Sequence, residues 1–207
     1  MSALPLVEEL IPGPDPVETT ARLLGQPHLL FLDSAQDPTR LGRYSFISAA
    51  PAAVIRTRGR GTPTALDQAR TLLARFPTAP IPDLPPFQGG LAGYLAYDYG
   101  AILERLPAPR YDDLALPDAV LGLYDWVLAW DHQRGRCWLI STGIPESGGA
   151  RAGRAAERLA WVKRLLAGPT GGAAGRHFPS VRRSATAPSF PLAGTDRGLG
   201  IGLRSTF

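Results

Sequence analysis

Residues 119–141 read AVLGLYDWVLAWDHQRGRCWLIS, and the class of the whole domain turns on how they pair. Residues 119–131 form an apolar run rich in β-branched and aromatic side chains, followed at once by His132-Gln133-Arg134-Gly135 and a second run, 136–141. Four residues leave no room for a crossover helix, so the two runs must lie antiparallel as a hairpin. Gly135 supplies the positive φ that such a turn needs. Along the second run Arg136, Trp138 and Ile140 alternate with Cys137 and Leu139, which puts the two sets on opposite faces of a sheet.

The flanking sequence fits helices packed on such a sheet. Residues 150–166 carry Ala155, Leu159, Val162 and Leu166 at helical spacing, with Lys163 and Arg164 near the C-terminal end and Gly168-Pro169 as the stop. Residues 15–24 read as a helix with Asp15 as N-cap, Pro16 in the first turn and Gly25 just past its end. A further helix is predicted over 64–76, where Thr64 and Asp67 have capping-box spacing and Leu66, Ala69, Leu72, Leu73 and Phe76 form a stripe. Strands are predicted over 28–32, 41–48 and 52–58, and a short helix over 98–105. The segment 88–97, QGGLAGYLAY, is a strand whose glycines imply a bulge or a close backbone approach. The order of elements is α+β: an antiparallel β-sheet scaffold with packed helices, not an alternating βαβ chain. The pattern stops near Gly168, so a folded domain over 1–167 and a linker with a disordered C-terminal tail over 168–207 are expected.

Composition narrows the function. The chain has 207 residues, 44% of them hydrophobic and 19% charged, enough for a packed core. Its single Cys excludes a disulfide framework and a thiolate zinc site, and His28, His132 and His177 are too scattered to replace one. The net charge of +4 lies entirely in residues 168–207, which hold five Arg and one Asp, so the domain itself is neutral and no nucleic acid partner is expected. No apolar run reaches the roughly 18 residues of a membrane span, so no membrane partner is expected either. The N-terminus has no basic region and carries Glu8 and Glu9, which is unlike a secretory signal and points to the cytoplasm.

A catalytic constellation is hard to find. Gly89, Gly90 and Gly93 lack the Lys-Ser/Thr of a phosphate loop, and Gly198, Gly200 and Gly202 follow no strand. Asp112, Asp113 and Asp118 read as loop acids interrupted by Pro117. Ser34 with His28 or His132 would be a nucleophile–base pair, but no nucleophile elbow accompanies it. Cys137 reads as a small core residue, and Trp126, Trp130, Trp138 and Trp161 fit packing between a sheet and a helix better than base stacking. No catalytic residue and no metal ligand are assigned.

Three blocks, in order, carry a resemblance: FLDSA (31–35) with LGRYSFIS (41–48); PFQGGLAGYLAYD (86–98); and LPDAVLGLYDW (116–126) with Asp131-His132. Together they resemble the N-terminal region of component I of aminodeoxychorismate synthase and anthranilate synthase, over roughly residues 5–165. Leu-Asp-Ser-Ala, Tyr-Asp-Trp and Asp-His-Gln look more like the aminodeoxychorismate branch. The resemblance implies an enzyme class that makes 4-amino-4-deoxychorismate from chorismate and ammonia, the ammonia coming from a glutamine amidotransferase subunit. It also implies that Mg²⁺ and the reactive groups belong to a second half whose motifs are not found here, so truncation and an inactive chain are expected. Tryptophan is the ligand expected for this region, as feedback inhibitor or structural ligand. By motif, Ser34 would meet its polar end and Leu41, Gly42, Arg43 and Tyr44 would line the rest, unless Arg43 pairs instead with a scaffold carboxylate.

Overall fold

The computed structural model describes residues 4–34, 42–59, 63–102, 104, 105, 107, 112 and 114–168. All of these lie in one compact unit, Met1–Gly172. The expected tail over 168–207 lies, apart from Gly168, outside the described residues.

Among the described residues there are eight strands and three α-helices. The strands are β1 (Leu6–Glu9), β2 (Leu30–Asp33), β3 (Tyr44–Ser48), β4 (Ala53–Thr57), β5 (Gly90–Leu95), β6 (Ala119–Tyr124), β7 (Trp126–Asp131) and β8 (Arg136–Ser141). The helices are α1 (Pro16–Leu23), α2 (Ala65–Arg75) and α3 (Ala150–Ala167). They form a five-stranded sheet of order β1-β8-β7-β3-β2 and a three-stranded sheet of order β4-β6-β5. Every neighbouring pair is antiparallel, so the α+β class with packed helices holds.

The sequence pattern reads residues 119–131 as one strand, and the structure breaks them in two. β6 belongs to the small sheet and β7 to the large one, with Asp125 at the break. The physical reason is the fully buried Asp125 carboxylate, held by Arg158 Nε at 2.9 Å and Arg154 Nη2 at 3.3 Å, both from α3. Its carbonyl accepts from Thr142 N at 2.8 Å instead of continuing a β6 ladder. The strand β1 has no counterpart in the sequence reading; its Glu9 pairs with Arg136 of β8 and its Glu8 with Lys163 of α3. The predicted helix over 98–105 is instead a 3-10 helix, Tyr97–Ile102.

On one face of the large sheet, Ile47, Trp126, Leu128, Trp130, Cys137 and Leu139 pack with Leu23 of α1 and Val162 of α3. Trp126 meets Trp161 edge-on at 5.9 Å between ring centroids. On the other face Val127, Ala129, Trp138 and Ile140 are covered by Leu84 and Phe87 of the proline-rich connection. The alternation along β8 therefore sorts its side chains as expected, and it sends Trp138 away from the helices. α2 has the expected capping box, but it buries Ala65 and Ala69 while Leu66 and Leu73 stay half exposed.

Candidate functional site

The end of β2, the start of β3 and the end of β7 lie side by side, because β3 pairs with β2 on one edge and β7 on the other. That register sets Asp33 opposite Ser45, and Tyr44 opposite Asp131. Ser34 follows β2 and is exposed; Gly42 is buried; Arg43 and Tyr44 are half-buried. Leu41 lies outside the described residues.

Asp131 is the anchor. Its carboxylate is 2% exposed and takes Arg43 through Nη2 at 2.8 Å and Nε at 3.2 Å. Its Oδ1 also accepts from the backbone N–H groups of Gln133 and Arg134, each at 3.1 Å, which closes the hairpin turn. Burial works to raise its proton affinity, but the Arg43 hydrogen bonds, the Arg134 N–H and the Arg43 charge outweigh it and hold the carboxyl below the usual aspartate range. The Arg43 guanidinium in turn lies 4.9 Å from the Tyr44 ring centroid. Of the two roles open to Arg43, the structure shows the scaffold ion pair.

His132 continues the hold. Its backbone N–H donates to the Arg43 carbonyl at 2.8 Å, and its Nε2 lies 2.7 Å from Ser45 Oγ. Ser45 is fully buried and donates to Asp33 Oδ1 at 2.6 Å. Aspartate, serine and histidine thus meet, but not as a hydrolytic triad. There the histidine lies between acid and serine; here the serine is the middle member, buried, with its hydrogen on the carboxylate. The pairing of Ser34 with a histidine, set aside on the sequence for want of a nucleophile elbow, is not what the structure makes: the His132 ring meets Ser45 instead. Sequence reasoning passed over Ser45, although its place two residues beyond Arg43 in a strand that faces Asp33 is a usable signal.

The other features are structural. A Cβ at position 93 would lie 2.0 Å from the Val120 carbonyl oxygen, so the close backbone approach expected of the glycine block occurs at Gly93. Asp112 pairs with Arg58, and Asp118 accepts from the Gly59 N–H. The Cys137 thiol is pushed up to about 12, mainly by burial and further by the Glu9 charge, which makes it a packing residue. Among the described residues no group of three His, Cys, Asp or Glu is placed to hold a metal ion. No described helix is long and apolar enough to cross a membrane.

The fold and this three-strand junction define an α+β domain built on two antiparallel sheets. The crystal structure of anthranilate synthase component I from Streptococcus pneumoniae TIGR4 superimposes with a TM-score of 0.53 over 78% of this chain and 37% of that one, at 22% identity. Anthranilate synthase component 1 of Mycobacterium tuberculosis H37Rv is 37% identical over 139 residues, 59% of this chain and 27% of its own length. Aminodeoxychorismate synthase component 1 of Klebsiella aerogenes is 32% identical over 155 residues, 68% of this chain and 32% of its own length. No family model matches the chain. The protein is a relative of the component 1 proteins of anthranilate and aminodeoxychorismate synthases, and it spans about a third or less of the length of these two curated relatives.

Proposed function

We propose that the chain carries the N-terminal, non-catalytic domain of an aminodeoxychorismate synthase component 1, with a rim for tryptophan where β2 and β3 meet β7. One observation carries this reading: the separate sequence blocks that bear the resemblance touch one another. Arg43 and Ser45 of the first block are held by Asp131 and His132 of the third, Ser45 in turn donating to Asp33, while β5 of the second block pairs along its length with β6 of the third.

In this reading the Ser34 hydroxyl meets the ammonium or carboxylate of the amino acid, and Tyr44 offers an aromatic wall to the indole. Gly42, which precedes Arg43 and is buried, belongs to the same rim. Arg43, its charge already matched by Asp131, stiffens the wall and does not clamp a ligand carboxylate. The complete cytoplasmic enzymes of this class join chorismate to ammonia from a glutamine amidotransferase partner, on the route to 4-aminobenzoate and folate. Mg²⁺ and the acid–base groups are assigned to the remainder of those enzymes, so this chain turns nothing over by itself. The domain boundary is placed at residue 167, with 168–207 as a linker and non-family tail.

A second reading, an anthranilate synthase component 1, is favoured by the 37% identity to the mycobacterial protein. Against it stand Leu-Asp-Ser-Ala at 32–35 and Tyr-Asp-Trp at 124–126. Incubation with chorismate, Mg²⁺ and ammonium is expected to give no aminated product, and calorimetric titration with L-tryptophan a dissociation constant on the order of micromolar. Aminodeoxychorismate or anthranilate in the reaction would overturn the non-catalytic assignment. Silence in the titration would remove the tryptophan rim.

A further inference from the structure

We propose that the dipeptide Asp131-His132 is the positioning device of this rim: from the end of β7 it sets the Arg43 side chain, the backbone beside Tyr44 and, through Ser45, the carboxylate next to Ser34. The ligand-binding arm of its test rests on the tryptophan reading above; the other arms do not.

The inference follows from where hydrogens can be. A serine hydroxyl has one hydrogen, and a carboxylate only accepts. With Ser45 Oγ 2.6 Å from Asp33 Oδ1, that hydrogen points at Asp33. The 2.7 Å contact between Ser45 Oγ and His132 Nε2 must then be an N–H donated by the ring. Both the neutral Nε2–H tautomer and the imidazolium carry that hydrogen. The Nδ1–H tautomer would set two lone pairs against each other across the contact. Ser45 is fully buried, so solvent does not replace a lost partner. The polar chain therefore runs one way, from His132 just past the end of β7 to Ser45 of β3 and on to Asp33 of β2. The neighbouring residue completes the hold, since Asp131 takes the Arg43 guanidinium while the His132 N–H takes the Arg43 carbonyl. Two adjacent residues thus hold Arg43 by its side chain and its carbonyl and reach Asp33 through Ser45, and neither needs to touch the ligand.

The experiment uses the full chain. Long-range ¹H–¹⁵N correlation of His132 is expected to show hydrogen on Nε2; hydrogen on Nδ1 alone would overturn the proposal. His132→Gln keeps an N–H donor near the same reach and His132→Ala removes it. In the ligand-free protein the Asp33 and Ser34 amide resonances are expected to move in H132A and to return in H132Q; wild-type positions in H132A would overturn the proposal. Tryptophan affinity is expected to fall about tenfold in H132A and to recover to within about twofold in H132Q, the scale of one buried hydrogen bond. Should the wild-type chain not bind tryptophan, the ligand reading fails, and the tautomer and the amide shifts still judge the positioning role. If H132A does not fold, Ser45→Ala is expected to move the same two amides, and unmoved amides there would overturn the proposal equally.

Discussion

At the scale of single residues the side chains of the rim are shaped by the company they keep. Asp131 has four donor groups around one carboxylate: two nitrogens of Arg43 and two backbone N–H groups. Its folded-state proton affinity is depressed, so the unfolded chain binds more protons on acidification. Its stabilisation is therefore complete at neutral pH and is lost as pH falls below about 4, the ordinary aspartate range. Urea unfolding of wild type and Asp131→Asn across pH 3 to 7 is expected to converge toward the acid end, with the variant weaker by about 1–3 kcal/mol at neutral pH. A constant difference across that range would show that the carboxylate's charge contributes nothing there.

At the scale of elements, the third helix is fastened to the junction of the two sheets by charge as well as by packing. Arg154 and Arg158 reach Asp125, and Arg158 also donates to the Ala50 carbonyl. Nearby, Arg151 is almost fully buried and is spent on the Thr142 and Pro77 carbonyls and the Thr78 hydroxyl. Asp125→Ala removes the shared acceptor and strands two guanidinium groups on partly covered sites. A loss of about 3 kcal/mol is expected from denaturant unfolding, as for other buried ion pairs broken from one side. A change below about 1 kcal/mol would place the fastening in the contacts of Val162 and Trp161 instead.

At the scale of the whole unit, the two sheets present four outer strands: β1 and β2 on one, β4 and β5 on the other. Large apolar side chains open to water lie in the segments that join the strands of the small sheet, Tyr97 at 93%, Leu114 at 78% and Leu116 at 56% exposure. Open strand edges beside apolar surface favour pairing between chains. Sedimentation at rising concentration is expected to show self-association, and a monodisperse monomer that melts sharply would contradict it.

What local sequence determined is whatever depends on neighbours along the chain. The hairpin turn at Gly135, the Asp15 cap, the Thr64–Asp67 capping box and the alternation along β8 all involve contacts within a few residues, and all stand as read. The glycine at 93 was also legible, because a missing Cβ in a strand signals a close approach. Only the tertiary structure decided the rest. The break at Asp125 depends on arginines about thirty residues downstream, and β1 pairs with a strand more than a hundred residues away. The rim is the same case: its residues were named from short motifs, but the Arg43–Asp131 pair and the link from Ser45 to His132 join positions 88 and 87 apart. Periodicity reports which face of an element is buried, and it carries no information about which distant charge will meet which.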